Sequence, residues 1–314
     1  MKFLEREQIL ELCAPARAEP LARVAFDWFV ILLAATLAWR ISGVAAFLAA
    51  LVLIGNRQHG LLVLMHEASH GRLWPTKNGN ACIGELFCAW PLFIGLRDYR
   101  ERHAAHHLYA NSDLDPDFLV ERFPRTRGEL LRSILKDLCG GSALAQISAF
   151  ARSKRAAGWR YRALQWGYYA TLAAALTAFG LWKPFLLFWI LPRFTWVNVA
   201  LRLRAVADHA GTQHHRAPFD TRTLIPTFVD RLVWAPHSCS YHIGHHLYPK
   251  VPCFRLKRLH ALLMDHPEFR RHAHITFGLR GLLREIPAKS SDIARLEAKG
   301  LDFTRTRPQR KALA

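Results

Sequence analysis

The sequence lacks several features that identify the simpler classes of metal-binding and secreted protein. Its six cysteines include no C-x-x-C pair, which excludes a zinc ribbon and an iron–sulfur or rubredoxin-like site. The N-terminal stretch carries charges throughout and has no continuous apolar core, so we do not expect a cleavable signal peptide. The sequence also contains no internal repeat or low-complexity block.

Negative charge is scarce as well, with 24 Asp and Glu against 43 Lys and Arg and a net charge of +19. Hydrophobic residues nevertheless make up 51% of the 314 residues. A chain that is both apolar and basic is either a nucleic-acid binder with a large core or a membrane protein with a cationic cytosolic face. Arg and Lys crowd 121–162 and 202–314, whereas 24–65 and 163–201 are mostly apolar. This segregation favours the membrane, and because no recognition motif is present we expect no nucleic-acid partner.

Four apolar runs are candidates for membrane-spanning helices, arranged as two pairs. In order, the runs cover 24–39, 44 to the HEASH motif, 163–180 and 185–202. The turns are RISG at 40–43 and LWKP at 181–184. In the first pair, 24–39 and the apolar start of the second run are each about 24 Å or less, short of a hydrocarbon layer of about 30 Å, so each must extend into its flanks. The polar residues of NRQHGLLVLM are then expected to face protein, and a soluble domain with buried helices is the alternative.

The basic residues predict the topology. Arg40 and Lys183 are the only basic residues of the two short turns, so the positive-inside rule places both turns outside and both termini in the cytoplasm. The predicted fold is all-α, an integral membrane protein with four transmembrane helices as two hairpins and a cytosolic helical cap that carries the histidine boxes. The predicted domains are a cytosolic segment 1–23, a membrane domain 24–283 and a charged tail 284–314.

Three groups of histidines, here called boxes, occur at helical spacing. They are HEASH, HAAHH and HIGHH, which contain His66, His70, His103, His106, His107, His242, His245 and His246. By chance, one H-x-x-H-H pattern is expected only about 0.05 times in such a chain, and two are present. Residues at i, i+3 and i+4 lie on one face of a helix, so we expect each box to aim its imidazoles at one point.

HEASH by itself matches the zinc-protease signature H-E-x-x-H, in which the glutamate, here Glu67, is the base. Two imidazoles one turn apart suit zinc, iron or copper equally well. A single catalytic zinc takes three protein ligands and would leave most boxed histidines unexplained, whereas two metal ions use them all. A metal transporter with histidines along a pore is a further alternative.

The ordered set of boxes resembles the membrane fatty acid desaturase and hydroxylase superfamily. The matching stretches are HEASH, YRERHAAHHLYANSDLDPD and YHIGHHLYPKVP, and the resemblance covers roughly positions 40–265. It implies two non-haem irons held on the cytosolic side by the eight boxed histidines, with His209 in RAVADHAG as a ninth ligand. It also implies O₂-dependent oxidation of an unactivated C–H bond in a lipid chain. Desaturation of a fatty acyl or related chain is the preferred reaction, and a lipid or carotenoid hydroxylase or ketolase is the alternative.

The same resemblance predicts the partners. It also predicts no catalytic side chain other than the metal ligands. The partners are a lipid substrate, the membrane and an electron donor. No His-Pro-Gly-Gly haem loop is present, so the donor must be a separate ferredoxin- or cytochrome-type protein with a reductase. Acidic residues near the boxes are candidates to orient ligand imidazoles through their second N–H: Glu67, Asp113, Asp115, Asp117 and Asp208. For DLDPD an ordinary Asp/Pro turn is the alternative.

The charge distribution generates a topological prediction. Reporter fusions at residue 1 and at residue 314 should both report the cytoplasm, because the basic segments flank the apolar pairs on one side only. A reporter that is active only outside the cytoplasm serves as the complementary control. Opposite locations for the two fusions would contradict the two-hairpin arrangement.

Overall fold

The computed structural model describes residues 3–110, 114–116, 124–143, 146, 158–212 and 219–287, and most of these residues are helical. The helices are α1 (Arg6–Leu12), α2 (Ala18–Ile41), α3 (Val44–Ser69), α4 (Lys77–Ile83), α5 (Leu96–Tyr109), α6 (Arg127–Leu138), α7 (Trp159–Ala178), α8 (Trp182–Phe185), α9 (Leu191–Phe194), α10 (Trp196–His209), α11 (Phe228–Val233), α12 (His242–Leu247), α13 (Leu256–Met264), α14 (Pro267–His272) and α15 (Gly278–Glu285). π-helical turns cover Gly84–Ala89 and Leu186–Ile190, and 3-10 turns cover Trp90–Leu92, Pro236–Ser238 and Cys253–Arg255. The predicted helical fold is confirmed for most of these residues.

Two short strands depart from an all-α fold. β1 (Arg222–Ile225) pairs in parallel with β2 (His274–Phe277), and Arg222 lies opposite His274. The sequence does not single them out, because each strand has only four residues, β1 shows no alternation of apolar and polar positions, and the alternation in β2 is at the shortest length that can indicate a strand. Their pairing also joins segments that are far apart in the chain.

Three of the described helical segments are long and apolar enough to cross a membrane: Ala18–Ile41, Val44–Ser69 and Trp182–His209. A fourth span is possible if Lys77–Leu92 and Leu96–Tyr109, which are bent by 93° at their junction, count as one. α7 coincides with a predicted span but is not among these helices. The number of spans therefore remains a proposal.

The chain divides into two compact units. The first, here called the hairpin unit, consists of Ala16–Arg100 and Lys136–Ala200. The second, here called the strand unit because it contains β1 and β2, consists of Met1–Pro15, Glu101–Leu135 and Leu201–Ala314. The domain boundaries predicted at 23 and 283 are not tested by this division and stay predictions, and most of the predicted tail lies outside the described residues.

In the hairpin unit, α2 and α3 are joined by the predicted RISG turn. Ser42 adopts a left-handed conformation with φ of 52°, and its N–H donates to the carbonyl oxygen of Ala38 at 3.1 Å. α2 has 24 residues and α3 has 26, so they are about 36 and 39 Å long. Both exceed a hydrocarbon layer of about 30 Å, because the apolar runs extend into their flanks as expected.

The polar residues in the middle of α3 face protein, as predicted. Asn56, Gln58 and His59 are fully buried, and the Nη1 atom of Arg57 donates to Oδ1 of Asp27 on α2 at 3.0 Å. Gly60 permits this approach, because a Cβ atom there would lie 2.5 Å from Oδ2 of Asp27. A buried ion pair between two apolar helices thus keeps both charges away from lipid.

α7 also turns part of its polar residues toward protein. Arg162 is buried and pairs with Asp98, and the hydroxyl of Tyr161 accepts a hydrogen bond from Nε1 of Trp90 at 3.2 Å. On the opposite face Leu164 is exposed. This distribution explains how a helix of modest hydropathy can still present an apolar outer surface.

The predicted LWKP turn between the second pair of runs is misplaced. α7 ends at Ala178, Gly180 has φ of 64°, and the next helix begins at Trp182, inside LWKP. Glycine supplies the left-handed residue that commonly ends a helix. Pro184 lies in the first turn of the new helix, where the N–H that proline lacks is not needed.

In the strand unit, the N-terminal segment is fixed to the region around α13. The Nη1 atom of Arg255 donates to the carbonyl oxygens of Glu11, Leu12 and Ala14 at 2.7–3.1 Å. These carbonyls are at the end of α1, where no further turn supplies N–H donors. Phe3 packs edge-on against Phe269, with ring centroids 5.8 Å apart.

The buried pair in the hairpin unit leads to a stability prediction. Asp27→Leu should destabilise the protein by about 3–5 kcal/mol, because the guanidinium of Arg57 stays buried without its carboxylate. The change is measured by thermal unfolding in detergent. Glu19→Gln is the matched control, because its partner Arg23 lies at 2.7 Å in an exposed pair, and such pairs contribute about 1 kcal/mol or less. Equal melting temperatures for the two variants would contradict the prediction.

Candidate metal centre

The HEASH box lies at the end of α3, in the hairpin unit. His66 and Glu67 are buried, and Nδ1 of His66 is 3.1 Å from Oε1 of Glu67. The rings of His66 and His70 have centroids 4.8 Å apart, as expected for residues one helical turn apart. This box therefore presents two imidazoles and one carboxylate at a helix end.

The end of α3 is held by polar side chains of the same unit. Arg100 donates through Nε to the carbonyl oxygen of Ser69 and through Nη2 to that of Ala68, both at 3.1 Å. Nδ2 of Asn80 donates to the Ala68 oxygen at 2.8 Å. Because last-turn carbonyls lack intrahelical donors, these bonds fix the turn that carries His66 and His70.

Burial keeps His70 of the first box neutral. Removal from water, with Arg72 and Arg100 nearby, lowers the pKa of His70 to about 4. The imidazole is therefore unprotonated at neutral pH. A neutral imidazole is the form that coordinates metal ions.

The second box lies on α5 and the third on α12. In the strand unit, histidines from both boxes mix to form two groups. His103 and His107 form one group with His245 of the third box. Nε2 of His107 is 3.0 Å from Nε2 of His103 and 3.0 Å from Nε2 of His245. Three imidazoles from two elements thus meet at their Nε2 atoms.

The second group in the strand unit has four members. They are His106, His209, His242 and His246, and one nitrogen of each lies within 4.8 Å of the others. Nε2 of His242 is 2.9 Å from Nε2 of both His209 and His246. His209 is at the end of α10, so the predicted ninth ligand does join boxed histidines.

The expectation that each box aims at one point is wrong for the second and third boxes. In each, the residues at i and i+4 stay together, namely His103 with His107 and His242 with His246. The remaining histidine, His106 or His245, belongs to the other group. At 3.6 residues per turn, adjacent residues diverge by about 100°, so His106 cannot share the direction of His107.

Local contacts position the third box. The N–H of Leu224 on β1 donates to the carbonyl oxygen of Ser240 at 2.9 Å, and Thr223 forms an isolated bridge with Tyr241. β1 therefore holds the backbone immediately before His242. Gly244 lets α12 pack on α13, because a Cβ atom there would already be 3.2 Å from Leu259.

Three of the five predicted orienting carboxylates lie beside a histidine. Besides Glu67, Asp115 places Oδ1 and Oδ2 at 2.9 and 3.1 Å from Nδ1 of His106, and Oδ2 of Asp208 is 3.5 Å from Nδ1 of His242. Asp115 and Asp208 are buried. Each carboxylate faces Nδ1, which leaves Nε2 toward the group of histidines. Asp113 and Asp117 lie outside the described residues.

The donor chemistry of the strand unit fits transition-metal ions. Both groups consist of imidazole nitrogens, and burial, with His246 and His209 nearby, lowers the pKa of His242 well below its usual value. Neutral imidazoles suit iron, zinc and copper, whereas magnesium and calcium prefer oxygen ligands. Two separate groups fit two ions better than one.

Two positioning arginines were missed by the sequence analysis. Arg100 precedes His103 by one helical turn, and this spacing was a usable signal. Arg222 is fully buried on β1 and has no such signal, because its hydrogen-bond partners are 12 to 16 residues away in the chain. His59 is a buried helix residue as expected, and His214 and His215 lie outside the described residues.

Comparison with known proteins places these features in a family. A family model described as fatty acid desaturase matches residues 41–278. Dihydrorhizobitoxine desaturase of Bradyrhizobium elkanii is 28% identical over 250 residues, which cover 73% of this chain and 71% of that protein. The beta-carotene ketolase of Paracoccus sp. (strain PC1) is 27% identical over 210 residues, covering 63% of this chain and 73% of the ketolase.

The Asp115–His106 contact generates a prediction about metal affinity. Asp115→Asn should weaken binding at the group that contains His106 about 10–100-fold, because the carboxylate fixes the ring and raises the basicity of Nε2. Iron content after competition with a chelator measures the effect. Asp265→Asn, at an exposed position of the same unit, is the control. Identical chelator resistance in both variants would show that Asp115 does not orient a ligand.

Proposed function

The chain belongs to the fatty acid desaturase family, and from this we propose that it oxidises an unactivated C–H bond in a fatty acyl or related lipid chain with O₂. The observation that carries the proposal is the pair of imidazole groups in the strand unit, each built from two or more elements. Such an arrangement is suited to holding two metal ions. Family and relatives together support an oxidoreductase.

We assign the nine histidines as ligands of two non-haem irons per chain. The strand unit supplies His103, His107 and His245 as one group, and His106, His209, His242 and His246 as another. His66 and His70 are the ligands proposed from the hairpin unit. Bound iron would supply oxygen activation and one-electron chemistry that protein side chains lack.

The side chains of the protein then prepare the imidazoles for metal binding. Burial holds His70 and His242 neutral, so that their nitrogens are available to a metal ion. The carboxylate of Asp115 accepts a hydrogen bond from the Nδ1–H group of His106 and thereby leaves Nε2 as the nitrogen that faces the metal position. Electrons come from a separate ferredoxin- or cytochrome-type donor with a reductase.

For the membrane arrangement we propose four spans as two hairpins, with both termini and all three boxes in the cytoplasm. α1 belongs to the same unit as both imidazole groups, which supports a shared side for the N-terminal segment and the boxes. The inward-facing Arg162 and Gln165 of α7 support its assignment as a span, and the exposed Arg160 lies in the first turn of this helix.

Ketolation or hydroxylation is the second candidate, and the similarity to beta-carotene ketolases favours it. Desaturation and these oxygen-inserting reactions all begin by removing a hydrogen from carbon. In desaturation a second hydrogen then leaves, whereas in hydroxylation or ketolation oxygen is inserted. An intramembrane zinc protease is less consistent with the site. It would use His66, His70 and one further ligand, and most of the histidines of the strand unit would have no function.

The product distinguishes these reactions. Purified protein in lipid bilayers is supplied with a deuterated lipid, ¹⁸O₂ and a reduced ferredoxin-type donor, and the products are analysed by mass spectrometry. We expect loss of two deuteriums without gain of ¹⁸O. His106→Ala should abolish the product, because an ion in its group would lose a ligand. Incorporation of ¹⁸O would identify a hydroxylase or ketolase, and peptide cleavage without oxygen consumption would refute oxidation altogether.

A further inference from the structure

Arg222 is a fully buried arginine at the helix end that carries His209. Its Nη1 atom donates to the carbonyl oxygens of Val206 and Ala207 at 3.0 and 3.1 Å, and its Nη2 atom donates to that of Ala210 at 2.8 Å. These carbonyls belong to the last turn of α10 and the residue after it. Carbonyls at this position lack N–H donors within the helix.

The charge of Arg222 is compensated from two directions. The last turn of α10 presents the partial negative charge of a helix C-terminus. Oε2 of Glu285 is 3.3 Å from Nε of Arg222. A buried guanidinium is tolerated only with such partners, so its placement is specified closely.

Glu285 is itself fixed by β2. It accepts a hydrogen bond from Oγ1 of Thr276 at 2.7 Å, and its Oε2 atom is 2.9 Å from Nε2 of His274. His274 is the register partner of Arg222 in the parallel sheet. The pairing of β1 with β2 therefore places the guanidinium and the carboxylate beside each other.

β1 contacts the chain segments that carry two proposed ligands. Through the side chain of Arg222 it holds the turn of α10 that carries His209. Through its backbone it holds Ser240 and Tyr241, immediately before His242. The Nε2 atoms of His209 and His242 are 2.9 Å apart, so the strand joins the supports of two rings that must converge.

We propose that the Arg222–Glu285 pair is a positioning device that aligns His209 against His242 for metal binding. This inference rests on the proposed function, because it assigns the two imidazoles to a metal site. Arg222 does not touch the metal position in this scheme. It acts through its hydrogen bonds to the carbonyl oxygens, which fix the rotation of the last turn of α10 and its position along the helix axis.

A second arginine in the strand unit offers a matched control. Arg255 donates to three carbonyl oxygens at the end of α1, much as Arg222 does at the end of α10. α1 carries no histidine. Loss of either arginine removes a comparable set of hydrogen bonds, but only Arg222 supports a proposed ligand.

The test compares Arg222→Gln with Arg255→Gln in the purified full-length protein. The wild type and Arg255→Gln should each retain two irons per chain after chelator competition. Arg222→Gln should retain about one, since misplacing a ligand's support weakens metal affinity about 10–100-fold. Thermal unfolding of the metal-free proteins is measured in parallel, and similar shifts in the two variants would show that the difference in iron is not a difference in folding.

Other outcomes separate the inference from the proposed function. Two irons held at wild-type affinity in Arg222→Gln, or equal iron loss in both variants, would overturn the positioning role while leaving the function intact. A wild type that binds no metal would overturn both. If Arg222→Gln does not fold, Glu285→Gln decides, because Arg222 keeps its hydrogen bonds to the carbonyl oxygens and loses the charge that lies beside its Nε atom. Unchanged chelator resistance in folded Glu285→Gln would then refute the positioning role of the Arg222–Glu285 pair.

Discussion

The arrangement of the boxes depends on keeping crowded imidazoles neutral. Nitrogens of neighbouring rings in the strand unit lie 2.9–3.0 Å apart. Two protonated rings at that distance would repel by about 5 kcal/mol even at an effective dielectric constant of about 20. Burial removes this conflict by lowering the pKa of His242. The same condition prepares the nitrogens for a metal ion, so stability and metal binding favour the same protonation state.

Each unit fixes the end of a histidine-bearing helix by the same physical means. In the hairpin unit Arg100 binds carbonyls at the end of α3, and in the strand unit Arg222 binds those at the end of α10. Arginine suits this task because its planar fork reaches several carbonyls and remains charged when buried. Carboxylates complete the control of ring orientation at His66 and His106.

The apolar helices carry their polar residues on the inside. Asp27 and Arg57 pair between α2 and α3, and Arg162 of α7 pairs with Asp98. An unpaired charge in lipid is strongly unfavourable, so these pairs allow helices with interior charges to keep an apolar surface.

The sequence by itself determined the helical character, the α2–α3 turn and the histidines that the structure brings together, because helical spacing and box order are local properties. It also singled out Asp115 and Asp208, which lie beside His106 and His242. Only the tertiary structure decided that His106 and His245 change groups, because their directions depend on how α5 and α12 meet. It alone revealed the parallel strands and Arg222. The partners of the strands and of Arg222 are distant in sequence. A local sequence pattern does not show which distant groups will pair with a buried charge or with a carbonyl that lacks a donor in its own helix.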